Sequence, residues 1–136
     1  MMKVFFDENM SPHIARAMNH LCFWEDIEVL ITKEISEIGT FGKPQTDEEI
    51  AKYVAEQRGF IITRDGDFKQ QRLIAGLVKK HGYEIGVFLV PDLVHWDQVK
   101  LIANRWGDMM TAMRTIDKPF WCKVTPRGGV KQLPNP

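Results

Sequence analysis

The chain has 136 residues, which predicts one domain large enough to bury its own core without cross-links. Its two cysteines, Cys22 and Cys122, show no zinc-ligand spacing, so we expect both to stay reduced. No apolar run is long enough for a signal peptide or a bilayer span, which predicts a cytoplasmic protein without a membrane partner. The net charge is zero and argues against binding nucleic acid by bulk charge alone.

The neutral average hides a division along the chain. Residues 1–68 carry seven Lys/Arg against thirteen Asp/Glu, a net −6, whereas residues 69–136 carry eleven against five, a net +6. One half could therefore hold a cation and the other an anion, although solvated surface charge explains the division equally well.

The first third of the chain predicts strand, helix, strand and loop. Residues 3–6 form a short aromatic and β-branched run. Ser11 as N-cap and Pro12 at the first helical position then predict a helix to about Leu21. Residues 27–31 predict a second strand, and residues 32–45, with their Gly and Pro breakers, a loop of functional length.

The remaining chain alternates helices with strands. Thr46 and Glu49 form a capping box that predicts a helix through Arg58, ended by Gly59. The further predicted elements are a strand at 60–63, a helix from about 67 to 81, a strand at 85–90, a helix over about 95–116, a strand at 120–124, a turn at 126–129 and a returning strand at 130–133. The alternation predicts an α/β fold, a three-layer α/β/α arrangement with a mostly parallel central sheet and a C-terminal β-hairpin.

Four carboxylates fall where a predicted strand gives way to a loop or helix: Asp7, Asp47, Asp65 and Asp67. Strand ends of a parallel sheet share one edge, where ligands bind. Crowded carboxylates resist full ionisation unless a cation lies among them, and oxygen ligands suit Mg²⁺ or Mn²⁺. The cluster therefore predicts metal-assisted hydrolysis of a phosphodiester. Asp7 and Asp65 are the expected direct ligands, Asp67 is a ligand or water positioner, and Asp47 is a ligand to a second ion.

Three segments resemble the PIN-like domains related to toxin ribonucleases of bacterial toxin–antitoxin systems. They are Phe6-Asp7-Glu8-Asn9, Thr46-Asp47-Glu48-Glu49-Ile50 and residues 59–68, Gly-Phe-Ile-Ile-Thr-Arg-Asp-Gly-Asp-Phe. The resemblance implies one PIN-like domain over 1–136, with a core at 2–117 and a hairpin and tail at 118–136. It also implies a Mg²⁺- or Mn²⁺-dependent ribonuclease whose metal site is built by the four aspartates.

The same resemblance implies supporting residues and partners. Glu8, Asn9 and Glu48 are expected to orient the metal ligands by hydrogen bonds or to bind the metal in their place. RNA is the expected substrate, and an antitoxin protein and a second copy of the chain are further partners left open.

Four basic residues are candidate RNA contacts: Arg64, Lys69, Arg127 and Lys131. Arg64 and Lys69 flank the acidic cluster and could contact a phosphate. Arg127 and Lys131 would steer RNA to the metal if the hairpin docks beside the first strand's edge.

Two alternatives remain open from the sequence. One is an inactive PIN-like module that binds a partner protein. The other is a receiver-like signalling domain in which Asp65 accepts a phosphoryl group and Lys123 supports it. The absence of Ser or Thr after the fourth strand and of Pro after Lys123 counts against a receiver.

Overall fold

A computed structural model of the chain describes residues 1–66 and 68–135, and residues 68–70 by their backbone alone. The strands described are β1 (Met2–Phe6), β2 (Ile27–Ile31), β3 (Phe60–Arg64), β4 (Gly86–Val90), β5 (Phe120–Thr125) and β6 (Gly129–Leu133). The helices described are α1 (Pro12–Leu21), α2 (Asp47–Glu56), α3 (Phe68–His81) and α4 (His95–Thr115), with a single 3-10 turn at Thr32–Glu34. The predicted α/β class and the C-terminal hairpin are confirmed.

The six strands form one sheet in the order β2-β1-β3-β4-β5-β6. The first five run parallel, and β6 returns antiparallel to β5. After β1 the chain moves to one side for β2 and then crosses to the other side for β3. In such sheets ligands bind beyond the carboxyl ends of the strands at this point of reversal, which here is the end of β1 and β3.

Helices cover both faces of the sheet and enclose two apolar cores. On one face, Phe6, Ile62 and Phe88 belong to a buried cluster that includes residues of α1 and α4. On the other, Phe5 and Ile61 belong to a cluster that includes residues of α2 and α3. Because strand side chains alternate between faces, every second residue faces the same helices. The three-layer prediction is therefore confirmed.

Two helix ends differ in detail from the sequence-based prediction. Ser11 occupies the N-cap of α1, but its side chain makes no capping hydrogen bond. The helix α2 ends at Glu56, short of the predicted Arg58, because Arg58 adopts a left-handed φ of 53°. Gly59 is needed for another reason: a Cβ there would lie 2.6 Å from the Phe5 ring.

The predicted docking of the hairpin beside the edge of β1 is wrong. Both edges of β1 are already paired, with β2 on one side and β3 on the other. The hairpin strand β6 instead covers the outer edge of β5, with Lys131 opposite Lys123. Arg127 in the turn and Lys131 thus lie on the far side of β4 and β5 from Asp7.

Candidate active site

The register of the sheet brings Asp7, Thr63 and Lys123 into one row. Phe6 aligns with Ile62, which places Asp7 beside Thr63 one residue later. The row continues because Thr63 aligns with Leu89, and Leu89 with Lys123. All of these positions share the alternation that faces α2 and α3. The row forms the carboxyl edge of the sheet at the point of chain reversal.

Asp7 is the most constrained member of this row, since its side chain is 0% exposed. Its backbone N–H donates to the Ile62 carbonyl at 3.0 Å, and its carbonyl accepts from the Met10 N–H at 2.9 Å. The Thr63 hydroxyl donates to Asp7 Oδ2 at 2.9 Å. A buried carboxylate is costly unless hydrogen bonds or a cation compensate it, so this bond holds the acid in one orientation at the sheet edge.

Asp65 lies two residues beyond Thr63 and extends the row outward. Its N–H donates to the Val90 carbonyl at 2.8 Å, and its own carbonyl accepts from Gln71 Nε2 at 2.8 Å. Its Oδ2 lies 3.1 Å from Lys123 Nζ, with the Asp65 side chain 25% exposed and the Lys123 side chain 47% exposed. Asp65 is thus fixed through its backbone, while its carboxylate faces solvent and a lysine.

The sequence places Lys123 in the site only if the protein is a receiver-like domain. Its signal in the sequence is a single charged residue inside the otherwise uncharged run Phe120–Thr125. The register of β5 could not be read from the sequence, so the partner of this lysine could not be named. The ion pair places an ammonium group of the chain itself beside the Asp65 carboxylate.

Asp47 begins α2, and the loop from β2 brings this N-terminus to the carboxyl edge. The predicted capping box is confirmed: Thr46 Oγ1 accepts from the Glu49 N–H at 3.2 Å, and Glu49 Oε1 accepts from the Thr46 N–H at 3.2 Å. Glu49 is therefore committed to the cap. Asp47 is partly exposed and Glu48 is exposed.

The remaining candidates have varied surroundings. Glu8 is exposed and Asn9 is half-buried, directly after Asp7. Arg64 Nη1 lies 3.5 Å from Asp92 Oδ1, and the alternation of β3 turns Arg64 towards the opposite face from Thr63. The side chain of Lys69 and the whole of Asp67 lie outside the described residues.

The donors present suit a hard cation without forming a complete protein cage. Within residues 1–66 and 68–135, no group of three or more His, Cys, Asp or Glu side chains is placed to hold a metal ion. Asp7 and Asp65 nevertheless offer carboxylate oxygens at the same edge. Mg²⁺ is usually held through one or two carboxylates, with waters and substrate phosphates completing its shell. The donor chemistry fits an ion of this kind.

A family model described as a PIN like domain matches residues 2–90. The chain belongs to the PIN-like domain family. The match spans β1 to β4 and includes Asp7, Asp47 and Asp65. No curated protein and no solved structure matches the chain. PIN-like domains are commonly nucleases that use divalent metal ions, which supports a hydrolase at this coarse level.

The helices that the structure describes do not meet the requirements of a membrane span. In the part of the chain that the structure describes, none combines sufficient length with sufficient apolarity to cross a bilayer.

Proposed function

We propose that this PIN-like domain is a metal-dependent ribonuclease that hydrolyses RNA phosphodiester bonds. The observation that carries the proposal is the fully buried Asp7, held by Thr63 at the chain reversal, with Asp65 two residues beyond Thr63 at the same edge. A buried acid at a ligand-binding edge is costly for stability and is understandable as a metal ligand.

Asp7 and Asp65 are the residues that would hold Mg²⁺ or Mn²⁺, with Asp67 as a further ligand or water positioner and Asp47 as a ligand to a second ion. The ion would supply a nucleophilic water near neutral pH and a counter-charge for the phosphate. Thr63 fixes the orientation of Asp7. Lys123 neutralises Asp65 and places a positive charge where a substrate phosphate would approach.

We propose that the domain is a cytoplasmic toxin of a toxin–antitoxin pair, with an antitoxin protein and a second copy of the chain as its further partners. A small DNA-binding protein encoded next to it would support the toxin role, and a neighbourhood without one would count against it.

The proposed activity is tested by incubating labelled RNA with the purified protein in Mn²⁺ and in EDTA. Asp65→Asn removes charge stabilisation in the transition state, so turnover should fall at least about a hundredfold while RNA binding changes little. Asp26→Asn is the matched control, because Asp26 is exposed at the amino edge of the sheet. Cleavage that persists both in EDTA and in Asp65→Asn would exclude this mechanism.

The Asp65–Lys123 ion pair also favours a second candidate, the receiver-like phospho-acceptor. A phosphoryl group on Asp65 would lie beside the Lys123 ammonium. Incubation with labelled acetyl phosphate distinguishes the two functions. Stable label that is lost in Asp65→Asn, together with no RNA cleavage, would support the receiver. An inactive binding module would show neither activity.

A further inference from the structure

The loop between β2 and α2 lines a cavity that is open to solvent next to the proposed active site. The cavity has a volume of about 360 Å³, and its lining includes Glu8, Lys33, Phe41 and Lys43. Asp7 and Asp65 together form the acidic row. Glu8 directly follows Asp7, so the cavity and the acidic row share the carboxyl edge of the sheet. Its volume is in the range of small-ligand pockets and suffices for one nucleotide.

The base of this loop is held firmly against the fold. Ile38 is buried in the core on the α2 and α3 face. Gln45 Nε2 donates to the Thr32 carbonyl at 2.8 Å and to the Ile35 carbonyl at 3.2 Å. These contacts anchor both ends of the loop, so its tip is presented from a fixed support.

The tip presents Phe41 entirely to solvent, with a relative exposure of 104%. The other exposed aromatic residues have ring neighbours: Phe23 lies 4.3 Å from Trp24, and Trp96 lies 5.3 Å from His95. In the described part of the chain, Phe41 has no such ring contact. Its π-face is therefore available to a ligand.

The charged residues lining the cavity are Lys33, Lys43 and Glu8, so the lining keeps a net positive charge that complements an anion. Glu34, the acid that follows Lys33, is paired with Arg16. Neither Lys33 nor Lys43 has an acidic partner among the described residues. An accessible aromatic ring beside two uncompensated ammonium groups is the combination by which proteins bind single-stranded nucleic acid, because bases stack and phosphates pair with cations.

We propose that this cavity binds a nucleotide of single-stranded RNA next to the scissile phosphate. The base stacks on Phe41, and Lys33 and Lys43 contact the flanking phosphates. The inference rests on the proposed ribonuclease function for the identity of the polyanion, and it adds a preference for unpaired substrate.

The test measures binding of fluorescein-labelled oligoadenylate to the full chain in EDTA, so that no cleavage takes place. Phe41→Ala should weaken binding about five- to a hundredfold, the range found for one base–aromatic stack. Phe41→Trp should preserve binding. Phe23→Ala is the matched control, since it removes an exposed phenyl ring at the amino edge of the sheet and should leave affinity unchanged.

Two further measurements separate base stacking on Phe41 from nonspecific binding. An oligonucleotide with abasic sites should bind Phe41→Ala and wild type equally. Lys33→Gln and Lys43→Gln should each flatten the dependence of log affinity on log salt by about 0.7, the value for one phosphate contact on a single strand.

The inference fails if wild type does not bind oligoadenylate in EDTA or if Phe41→Ala binds as wild type does. It also fails if Phe41→Leu keeps full affinity, because the contact with RNA would then not require an aromatic ring. RNA cleavage without any effect of Phe41→Ala on binding would overturn this inference alone. Binding that depends on Phe41 without cleavage in Mn²⁺ would overturn the ribonuclease alone.

Discussion

At the scale of single residues, two acids in the same row are compensated in different ways. Asp7 is buried and receives a hydrogen bond from Thr63, whereas Asp65 is partly exposed and pairs with Lys123. An exposed ion pair contributes little to stability, so Lys123 can leave Asp65 at small cost. A divalent ion at Asp65 would compete with this lysine for the same oxygen.

This competition predicts an effect of Lys123→Gln on metal binding. Because the ammonium no longer occupies Asp65, Mn²⁺ should raise the melting temperature at a severalfold lower concentration than in wild type. Thermal unfolding against Mn²⁺ concentration measures this. Lys131→Gln removes the lysine directly opposite in β6 and serves as the control. A larger metal requirement in Lys123→Gln than in Lys131→Gln would contradict the competition.

The thiol next to this lysine gives a prediction for alkaline pH. Burial raises the pKa of Cys122 to about 11. The thiol therefore keeps its proton in the folded protein at a pH where the unfolded chain, with an ordinary thiol pKa of 9.0, loses it. This contribution to stability is complete below about pH 9 and is lost as pH rises through about 11. Urea unfolding between pH 8 and 10.5 should show a smaller loss in Cys122→Ala than in wild type. If the free energy of unfolding fell equally with pH in wild type and in Cys122→Ala, this prediction would be contradicted.

At the scale of elements, boundaries could be predicted where a local signal sets them. The strand at Ile27–Ile31 and the capping box of Thr46 and Glu49 match the sequence-based expectation. Strand order could not be predicted, because the neighbour of a parallel strand depends on its crossover and on packing over the whole sheet. For that reason the sequence-based position of the hairpin beside β1 is wrong. For the same reason, the sequence assigns Lys123 to the site only if the domain is receiver-like.

The two N-caps predict different costs for the same substitution. Thr46→Ala removes a side chain that accepts a hydrogen bond from Glu49, so the free energy of unfolding should fall by about 1 kcal/mol. Ser11→Ala is the control, because Ser11 makes no side-chain capping bond and Pro12 already occupies the first turn. Denaturant unfolding of both variants measures the difference. Equal losses would show that the capping bond of Thr46 contributes nothing.

At the scale of the whole molecule, the division of charge along the chain becomes a division across the sheet. The strands β2, β1 and β3 come from the net −6 half, and β4, β5 and β6 come from the net +6 half. The acidic side chains at the ends of β1 and β3 and the basic hairpin therefore share the carboxyl edge, and the Asp65–Lys123 pair links them across β4. A polyanion can be attracted to the basic half while its scissile phosphate reaches the acidic half.

This arrangement predicts that Arg127 and Lys131 steer RNA although the hairpin is distant from β1. The double replacement with Ala should weaken RNA binding at low salt and lower the salt slope by about 1.4, two phosphate contacts at about 0.7 each. The Mn²⁺-induced thermal shift should not change, because neither residue lies in the acidic row.

The matched control removes two charges from the same basic half at the other end of the sheet. Lys79 and Lys80 are exposed in the last turn of α3, which points away from the carboxyl edge. Their double replacement with Ala changes net charge by the same amount, so a merely global attraction would lower both slopes equally. If the hairpin steers RNA at the carboxyl edge, replacing Arg127 and Lys131 should lower the salt slope of RNA binding more than replacing Lys79 and Lys80 does. Equal salt slopes would indicate that the hairpin only covers the edge of β5.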